Sequence, residues 1–372
     1  MSSTFFKTEE HFTAGSLTLP QHYYTAQETF EREVGRIFKR YWLCAGHQGR
    51  IPNAGDYFLL NAFNESLVIL RDRQGEVRAF YNVCRHRGTR ICEQAEGHFG
   101  ASLQCSYHAW TYGLDGRLIG APFMKDVPGF RWEDFPLRAA PVHLWEGFIF
   151  VHLGMQEPEA FEHTYATLLA RFQPWNMAGL RSYKRVAYDV KANWKYIYQN
   201  FSECYHCPTI HPLLNKFTDY TSGTNDLIEG PFLGGYMDLR GESMTVSGRA
   251  CSLPLGELGE LGKRAYYYSV LPNLLLNIHP DYVMFHLVMP DGPAHCTVIS
   301  EWMFNPEAFG RSDFHPEEAI QFWDETNLQD WHVCELGQLG VSSQAYTPGW
   351  YTPRESLLAA FDRHYVRLME DR

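Results

Sequence analysis

The sequence predicts an α+β fold in two regions, the first all-β and the second a mixture of long helices and antiparallel strands. From about residue 42 to residue 155, short alternating segments such as 56–60, 66–70 and 147–153 are separated by Gly and Pro, which is typical of strands. Beyond residue 155, longer alternating segments are combined with stretches of helical periodicity. At 372 residues the chain is long enough for two domains with separate cores.

The N-terminal region predicts a helix over residues 25–42. Thr25 and Glu28 have the spacing of a capping box, which satisfies free N–H groups at the start of a helix. The residues that follow carry an apolar stripe at helical spacing, made of Phe30, Val34, Ile37, Phe38 and Tyr41. We expect residues 1–41 to form a helical segment that packs on the second domain.

The second region is assigned in chain order from its periodicity. Residues 155–180 predict a polar, helical connector, residues 183–190 a strand, and the segment from about Asn193 a helix. Further strands are predicted at 266–270, 274–278, 283–289 and 296–304. One closing helix begins near Pro316 and passes Trp331, and another follows residues 352–355 with Pro in its first turn. The domains are therefore expected at 42–155 and 156–372.

The composition restricts the class of partner. The chain has 32 basic and 43 acidic side chains and a formal net charge of −11, whereas nucleic-acid binding needs a basic face. No apolar run approaches the length of a membrane span, and the first residues lack the layout of a secretory signal. Its nine cysteines suit a reducing compartment better than a disulfide scaffold. We therefore expect a cytoplasmic protein without a nucleic-acid or membrane partner.

Two Cys-His pairs within the β region point to an iron–sulfur cluster. Cys84 and His86 lie in the segment CRHRGTR, and Cys105 and His108 lie in CSYHAWTYGLDGRL. A Rieske [2Fe–2S] centre takes two thiolates on one iron and two imidazoles on the other, and two such loops would supply them. A structural zinc site is the alternative, but zinc fingers usually pair Cys with Cys and His with His at short spacing. The pattern favours the Rieske cluster.

Glu203, His206 and His211 form a second group of candidate residues, in the segment NWKYIYQNFSECYHCPTIHP. Positions five apart diverge by about 140° on a regular helix, so the two imidazoles can share a metal only if the helix is broken or carries a π-bulge. Pro208 and Pro212 lie where such a break would occur. Glu203 precedes His206 by three residues and is expected on the same helical face.

A third ligand is expected from the penultimate helix. Two imidazoles and one carboxylate form the facial triad of oxygen-activating non-haem iron, which leaves positions open for O₂ and substrate. Asp330 is the preferred carboxylate, and its helical face is shared by Trp323, Asn327 and Cys334. The competing carboxylates are Asp324, Glu325 and Glu335.

Over essentially its whole length the sequence resembles the α subunits of Rieske non-haem iron oxygenases. The resemblance rests on the two Cys-His segments and on NWK, NF and the three residues of the second site. It implies a helix-grip catalytic domain, a mononuclear Fe(II) held by His206, His211 and Asp330, and O₂ as co-substrate. The chain departs from the family pattern at three positions, with Glu203 for the usual Asp, Ser106 for Pro and Ala109 for Gly.

The resemblance also implies a homotrimer in which the cluster of one subunit faces the iron of its neighbour. Glu203 would then bridge the two centres, with hydrogen bonds from His108 across the interface and from His206 or His211 on its own side. A carboxylate in this place orients imidazoles and couples the two redox centres. The alternative is that Glu203 only forms a salt bridge within its helix.

The chain carries no dinucleotide-binding fingerprint, so electrons from NAD(P)H must arrive through another protein. A flavin- or ferredoxin-type reductase is the expected partner. Arg85, Arg87 and Arg90 surround the first cluster ligands on an otherwise acidic chain. They either form a docking face for an acidic reductase or bond to carbonyls of their own loop, and the sequence leaves both open.

The substrate is indicated by the resemblance alone. The segments ECYHC, QDWHVCELGQLGVSSQAYTPG and LLAAFDRHY are similar to the branch that acts on glycine betaine, choline, carnitine and proline betaine. This branch implies hydroxylation of an N-methyl group, which gives formaldehyde and a demethylated amine. The alternatives are an aromatic ring-hydroxylating or O-demethylating oxygenase and a pure Rieske electron-transfer protein, which needs no second iron.

Aromatic faces suit a trimethylammonium group, because cation–π attraction needs no hydrogen-bond donor. Aromatic side chains are plentiful, and they include Tyr198, Phe201, Tyr205, Tyr282, Phe285 and Trp331. Most aromatic residues belong to a core, so none of these is assigned to the pocket. The donor for a substrate carboxylate is not identified by the sequence either.

Overall fold

The chain separates into two compact units, one of Cys44–Pro158 and one that combines Met1–Leu43 with Glu159–Arg372. The computed structural model describes residues 5–227 and 229–370. Within this part of the chain, no helix is both long and apolar enough to cross a membrane.

The regular elements are numbered here in chain order. The strands are β1 (Phe5–Lys7), β2 (Leu43–His47), β3 (Asp56–Ala62), β4 (Glu65–Arg71), β5 (Val77–Tyr81), β6 (Glu96–His98), β7 (Ser102–Gln104), β8 (Thr111–Gly113), β9 (Leu118–Gly120), β10 (Val142–Trp145), β11 (Phe148–Val151), β12 (Arg181–Val190), β13 (Thr224–Asp226), β14 (Phe232–Asp238), β15 (Arg264–Val270), β16 (Leu274–Ile278), β17 (Tyr282–Gly292) and β18 (His295–Phe304). The helices are α1 (His22–Thr25), α2 (Gln27–Glu33), α3 (Phe161–Thr164), α4 (Trp194–Phe201), α5 (Cys207–Ile210), α6 (Pro212–Phe217), α7 (Pro316–Val341) and α8 (Ser356–Glu370).

The unit Cys44–Pro158 is built from small antiparallel sheets. Their strand orders are β5-β4-β3-β6, β10-β11-β2 and β7-β8-β9. Val68, Leu70, Leu103 and Tyr112 are buried in one apolar cluster that also contains Cys84 and Cys105 among its members. The two candidate cluster cysteines are therefore anchored in the core of this unit.

The larger unit contains an eight-stranded antiparallel sheet of order β1-β13-β14-β15-β16-β17-β18-β12. The 26-residue helix α7 approaches α4 closely, since a Cβ on Gly337 would lie 3.1 Å from Tyr196 Cε1. The side of α7 that carries Trp323, Asn327, Trp331 and Cys334 is buried. The predicted α+β class is confirmed, with an all-β unit and a unit that combines one long helix with an antiparallel sheet.

The helix predicted over residues 25–42 is confirmed only in part. Helix α1 ends at Thr25, and its C-cap Ala26, with a ψ of 128°, separates it from α2, which continues as a π-helical turn, Val34–Phe38. The Thr25–Glu28 capping box is absent, because the Thr25 hydroxyl donates to the Gln21 carbonyl at 3.1 Å. At the end of one helix, a Thr side chain bonds back to its own turn instead of capping the next. The predicted connector over 155–180 also contains little helix beyond α3.

Glu33 at the end of α2 anchors the N-terminal segment. Its buried carboxylate accepts hydrogen bonds from Trp194 Nε1 at 2.8 Å and from Lys195 Nζ and the Tyr365 hydroxyl at 2.5 Å each. Burial lowers the pKa of Lys195, and Glu33 opposes this effect. A fully buried ion pair with these additional donors therefore ties α2 to both α4 and α8.

Replacing Glu33 with Ala is expected to lower the free energy of unfolding by roughly 3–5 kcal/mol, because Lys195 would be left buried without its counter-charge. Urea denaturation followed by tryptophan fluorescence measures the change. Glu28→Ala is the matched control, since Glu28 is exposed on the same helix, and it should change stability by no more than about 0.5 kcal/mol. Equal effects of the two substitutions would contradict the anchoring role of Glu33.

Candidate metal centres and substrate pocket

His206 and His211 are brought together by a break between short helices. Helix α4 ends before them, His206 precedes α5, and His211 lies between α5 and α6 with φ −120° and ψ 71°. These angles lie outside the helical region, so the chain changes direction at His211. As a result the two Nε2 atoms lie 3.2 Å apart. Of the two predicted ways to join these imidazoles, the structure has the broken helix.

Asp330 on α7 adds a carboxylate to the two imidazoles. Its Oδ1 lies 2.8 Å from His211 Nε2 and 3.4 Å from His206 Nε2. Among the described His, Cys, Asp and Glu side chains, these are the only three whose ligand atoms all lie within 4.8 Å of one another. Residues separated by more than 100 positions thus converge on one point.

The competing carboxylates of α7 are directed elsewhere. Asp324 Oδ1 accepts a hydrogen bond from the Tyr188 hydroxyl at 2.5 Å, and Glu335 Oε1 accepts one from Lys191 N at 3.0 Å. Glu325 is exposed. Asp330 is therefore the carboxylate of this helix that faces the histidines.

The three ligand atoms fit one face of an octahedral metal site. Bonds of about 2.1 Å at right angles would separate neighbouring ligand atoms by about 3.0 Å. The observed separations are 2.8, 3.2 and 3.4 Å. Two imidazoles and one carboxylate are also the donor set of non-haem Fe(II) sites. His206, His211 and Asp330 therefore fit a mononuclear iron.

The charge of this site favours a cation. Burial opposes ionisation of Asp330, but hydrogen bonds from His206 and His211 lower its pKa to about 2. Burial also lowers the pKa of His206, yet Asp330 and Glu203 outweigh it and raise that pKa to about 10. A metal ion must displace a proton from such an imidazole, so metal binding should weaken as the pH falls.

The outer nitrogens of both imidazoles are held by hydrogen bonds. Glu203 Oε1 lies 2.5 Å from His206 Nδ1, and Gln329 Oε1 lies 2.7 Å from His211 Nδ1. Such partners fix the tautomer and orientation of a metal-binding imidazole and leave Nε2 free for the metal. Gln329 was not identified from the sequence, where its only signal is its position beside Asp330.

Glu203 does not lie on a helix, contrary to the prediction. Helix α4 has already ended at Phe201, and Glu203 lies in the turn that leads to α5. There its carboxylate accepts the backbone N–H groups of Tyr205 and His206, the latter at 3.2 Å. A capped turn, rather than a shared helical face, therefore places Glu203 against His206.

Cys84 and Cys105 begin two loops with the same hydrogen-bond pattern. In each loop the Cys N–H donates to the carbonyl five residues later at 2.8 Å, and the N–H four residues later donates to the Cys carbonyl at 3.0 Å. Each loop turns at a residue with positive φ, which is 77° at Gly88 and 58° at Ala109. The two Cys-His pairs are thus presented by equivalent backbones.

The Cys side chains of these loops are buried and the His side chains lie nearer the surface. Cys84 and Cys105 are each 2% exposed, whereas His86 is exposed and His108 is half-buried. The two imidazole centroids are 4.7 Å apart, and the Tyr112 hydroxyl lies 3.3 Å from Cys84 Sγ. Within the described chain no three of the four ligands converge within 4.8 Å. This spread suits a two-iron cluster better than a single zinc ion.

The arginines beside the cluster loop are all exposed. Arg85 Nη2 lies 3.5 Å from the Asp134 carbonyl, and the Arg87 guanidinium lies 5.3 Å from the centroid of the Tyr107 ring. Local contacts thus engage Arg85 and Arg87, while a reductase-docking role for the three arginines stays a prediction.

Replacing Ala109 with Gly is expected to raise the free energy of unfolding by about 1 kcal/mol, because a side chain disfavours the left-handed conformation. The matched change Gly88→Ala is expected to lower the free energy of unfolding by a similar amount. The added Cβ would meet no atom within 4 Å, so the cost comes from the positive φ alone. Thermal unfolding of the cluster-loaded protein, followed by the visible spectrum, measures both. A loss of stability in Ala109→Gly would show that the conformation at this turn is not strained.

Cys204 and Cys207 form a disulfide that flanks His206. The turn before α5 brings their Cα atoms to 4.9 Å, within the range for a disulfide. All nine cysteines lie in the described residues, and among them only Cys204 and Cys207 are joined in a disulfide. The expectation of a chain without a disulfide scaffold therefore needs one correction, which is this local pair.

A pocket opens on His206, His211 and Asp330, the three candidate metal ligands. Its floor is a row of residues that are direct partners across β13 to β16, namely Asn225, Gly235, Tyr267 and Asn277. Direct partners point to the same face of a sheet, and Gly235 leaves space in the row because it has no side chain. Trp323 and Thr326 of α7 line another wall. The pocket therefore joins the sheet to the helix that carries Asp330.

Two of the aromatic residues considered from the sequence line this pocket, Phe201 and Tyr205. The others are Tyr198, Tyr282, Phe285 and Trp331, which are buried in the core. The additional aromatic residues of the lining are Tyr220, Tyr236, Tyr267 and Trp323. The strand alternation around Tyr267 and the shared helical face of Trp323 and Asp330 were the available signals, but neither distinguishes a pocket wall from a core position.

Comparison with known proteins identifies both halves of the chain. Residues 41–131 match the family described as Rieske [2Fe-2S] domain, and residues 177–371 match the ring hydroxylating alpha subunit, catalytic domain. These families imply a Rieske cluster and a mononuclear iron, with O₂ as co-substrate.

Relatives with known names extend the match to most of the chain. The glycine betaine monooxygenase oxygenase subunit of Chromohalobacter salexigens is 33% identical over an alignment of 379 residues that covers 91% of this chain and 82% of that protein. The carnitine monooxygenase oxygenase subunit of Escherichia coli is 34% identical over 214 residues, 56% of each chain. The structure of a quaternary ammonium Rieske monooxygenase aligns with a TM-score of 0.83 at 22% identity over 98% of each chain, which shows the shared fold.

Proposed function

We propose, because the chain belongs to the family of Rieske non-haem iron monooxygenases, that it removes an N-methyl group from a small quaternary ammonium compound of the glycine betaine type. The observation that carries this proposal is the His206–His211–Asp330 triad at a pocket with aromatic walls. The names of the glycine betaine and carnitine monooxygenase subunits support the choice of substrate class. A pure electron-transfer protein would have no use for the triad.

The proposed reaction is hydroxylation of one N-methyl carbon. It consumes O₂, two electrons and two protons and gives water and an N-hydroxymethyl product, which loses formaldehyde to leave a tertiary amine. When bound, the mononuclear iron supplies O₂ activation and the cluster supplies an electron. The NAD(P)H-derived electrons enter through a separate reductase, a partner supported by the term oxygenase subunit in the names of both relatives.

The residues of the pocket bind and orient the substrate. The rings of Phe201, Tyr267 and Trp323 offer π faces to a trimethylammonium group, which has no N–H to donate. Leu214, Leu233 and Leu357 add apolar surface, which excludes water from the methyl groups. His206, His211 and Asp330 would hold the iron, and the pocket beside them would receive O₂ and the methyl group.

We also propose a homotrimer in which Glu203 of one subunit meets His108 of the next. Tyr205, which follows Glu203 closely, is 53% exposed, and Leu336 and Leu339 of α7 are exposed as well. Such exposed apolar side chains, one beside Glu203 and two on the helix that carries Asp330, support burial against another subunit. Light scattering of the holoenzyme measures the mass of the assembly directly.

Formaldehyde release tests the proposed reaction. The anaerobically reconstituted protein is supplied with a reductase, NADH and air, and is offered a panel of methylated ammonium compounds and aromatic ethers. We expect one formaldehyde per O₂ consumed with one betaine, and the matching tertiary amine by mass spectrometry. Oxygen consumption that yields a hydroxylated ring, or formaldehyde from aromatic ethers alone, would replace this proposal with the aromatic alternative.

A further inference from the structure

Arg354 is the only Lys or Arg among the described residues that line the pocket at His206, His211 and Asp330. It belongs to the turn Pro353–Glu355, which leads into α8. A guanidinium nitrogen of Arg354 lies 3.5 Å from Glu9 Oε1, and the group lies 5.7 Å from the centroid of the Tyr220 ring. The side chain is 37% exposed. A single positive charge thus stands at the side of the pocket formed by the N-terminal segment and Tyr220.

The hydrogen-bonding capacity of Arg354 is not used by the described part of the protein. The separation from Glu9 is that of a loose ion pair, too long for a good hydrogen bond. Glu355, its neighbour in the turn, is engaged with the backbone N–H of Thr352 at 2.8 Å. The guanidinium N–H groups therefore remain free to bind an acceptor in the pocket.

The pocket lining carries charges of both signs. Glu203 and Asp330 lie at the histidines, and Arg354 lies beside Glu9 and Tyr220. A pocket that offers negative groups and a positive group is complementary to a zwitterion. Choline has no carboxylate for Arg354, whereas an amino-acid betaine has both charges.

We propose that Arg354 binds the carboxylate of the substrate and selects amino-acid betaines over choline. This inference rests on the proposed function, because it takes the substrate to be a quaternary ammonium compound. The planar guanidinium matches a carboxylate with two parallel hydrogen bonds. Carboxylate oxygens are also ligands for iron. Holding the carboxylate at Arg354 therefore keeps it away from the triad and presents an N-methyl group there instead.

Binding of glycine betaine and choline to the anaerobic holoenzyme, measured by calorimetry, tests this role. Arg354→Gln is expected to raise the Kd for glycine betaine relative to that for choline by about 10-fold or more, the effect of losing a hydrogen-bonded charge. Arg354→Lys should give an intermediate ratio. Glu9→Gln removes the carboxylate that competes for Arg354 and should leave betaine binding equal or tighter. Arg240→Gln is the control, since Arg240 pairs with Asp219 outside the pocket lining.

The outcomes separate this inference from the proposed reaction. Betaine binding that weakens in Arg354→Gln, without formaldehyde from the wild type, would overturn the reaction and keep the role of Arg354. Formaldehyde release by the wild type, with an unchanged Kd ratio in Arg354→Gln, would overturn the role of Arg354 alone. A wild type that binds no betaine would overturn both.

Discussion

Asp330→Asn is expected to reduce formaldehyde release to below about 1% of wild type, while the visible spectrum of the Rieske cluster remains. Changing a residue that only hydrogen-bonds to a metal ligand already lowers metal affinity or activity by roughly 10- to 100-fold, and loss of a charged ligand lowers them further. Asp330 contacts both histidines through one oxygen, at 2.8 and 3.4 Å. A neutral amide in its place removes the negative charge that favours a cation between the imidazoles.

Iron analysis gives a readout that does not depend on turnover. We expect the iron content to fall from about three to about two per subunit, since the cluster keeps its own two. Asp324→Asn is the matched control on the same helix, because Asp324 bonds to Tyr188 and not to the histidines. If Asp330→Asn retained three irons and normal turnover, the third ligand would have to be sought elsewhere.

The assignment of the cluster ligands stays a prediction, and it rests on local geometry. Each Cys-His pair lies within one short loop, and the repeated turn at Gly88 and Ala109 gives both loops the same shape. The mixed sulfur and nitrogen donors then define the cluster type with no knowledge of distant contacts. The departure of Ala109 from the family pattern changes the conformational cost of the turn and not its hydrogen bonds.

The mononuclear site depends on contacts that a sequence does not contain. Helical spacing places Asp330 on a buried face, but it also allowed three other carboxylates on the same helix, and the tertiary contacts of Asp324 and Glu335 separate them. The one signal for Gln329, its position beside Asp330, is not specific, since a glutamine next to a candidate ligand is ordinary. Arg354 was missed for a similar reason, because its importance comes from a pocket assembled by the N-terminal segment, the sheet and the final turn.

At Glu203 the expected contact with His206 is present although the predicted local structure is wrong. The spacing of three residues between Glu203 and His206 predicted that both lie on one helical face, whereas the helix ends at Phe201. The carboxylate reaches the imidazole because it also caps the turn between them. Side-chain capping of free N–H groups is favoured wherever a helix ends, so the contact persists when the helix does not.

Glu203→Gln is expected to lower kcat by roughly 10- to 100-fold, with about three irons retained per subunit. The amide oxygen can still accept the turn N–H groups, so the fold should be preserved. The substitution removes the negative charge of Glu203 Oε1, which lies 2.5 Å from His206 Nδ1 and orients that imidazole. Single-turnover reoxidation of the reduced cluster, with substrate and O₂ present, measures whether electron transfer is the slowed step.

Two further variants show whether a loss of activity in Glu203→Gln comes from the missing charge or from a disturbed turn. Glu203→Asp restores the charge on a shorter side chain and should recover much of the electron-transfer rate, whereas Glu325→Gln alters an exposed carboxylate of α7 and should change nothing. If Glu203 only capped its turn, Gln would serve as well as Glu and Asp would serve less well. Normal cluster reoxidation in Glu203→Gln would therefore assign the residue to local structure, while a loss that Asp rescues requires the negative charge at His206.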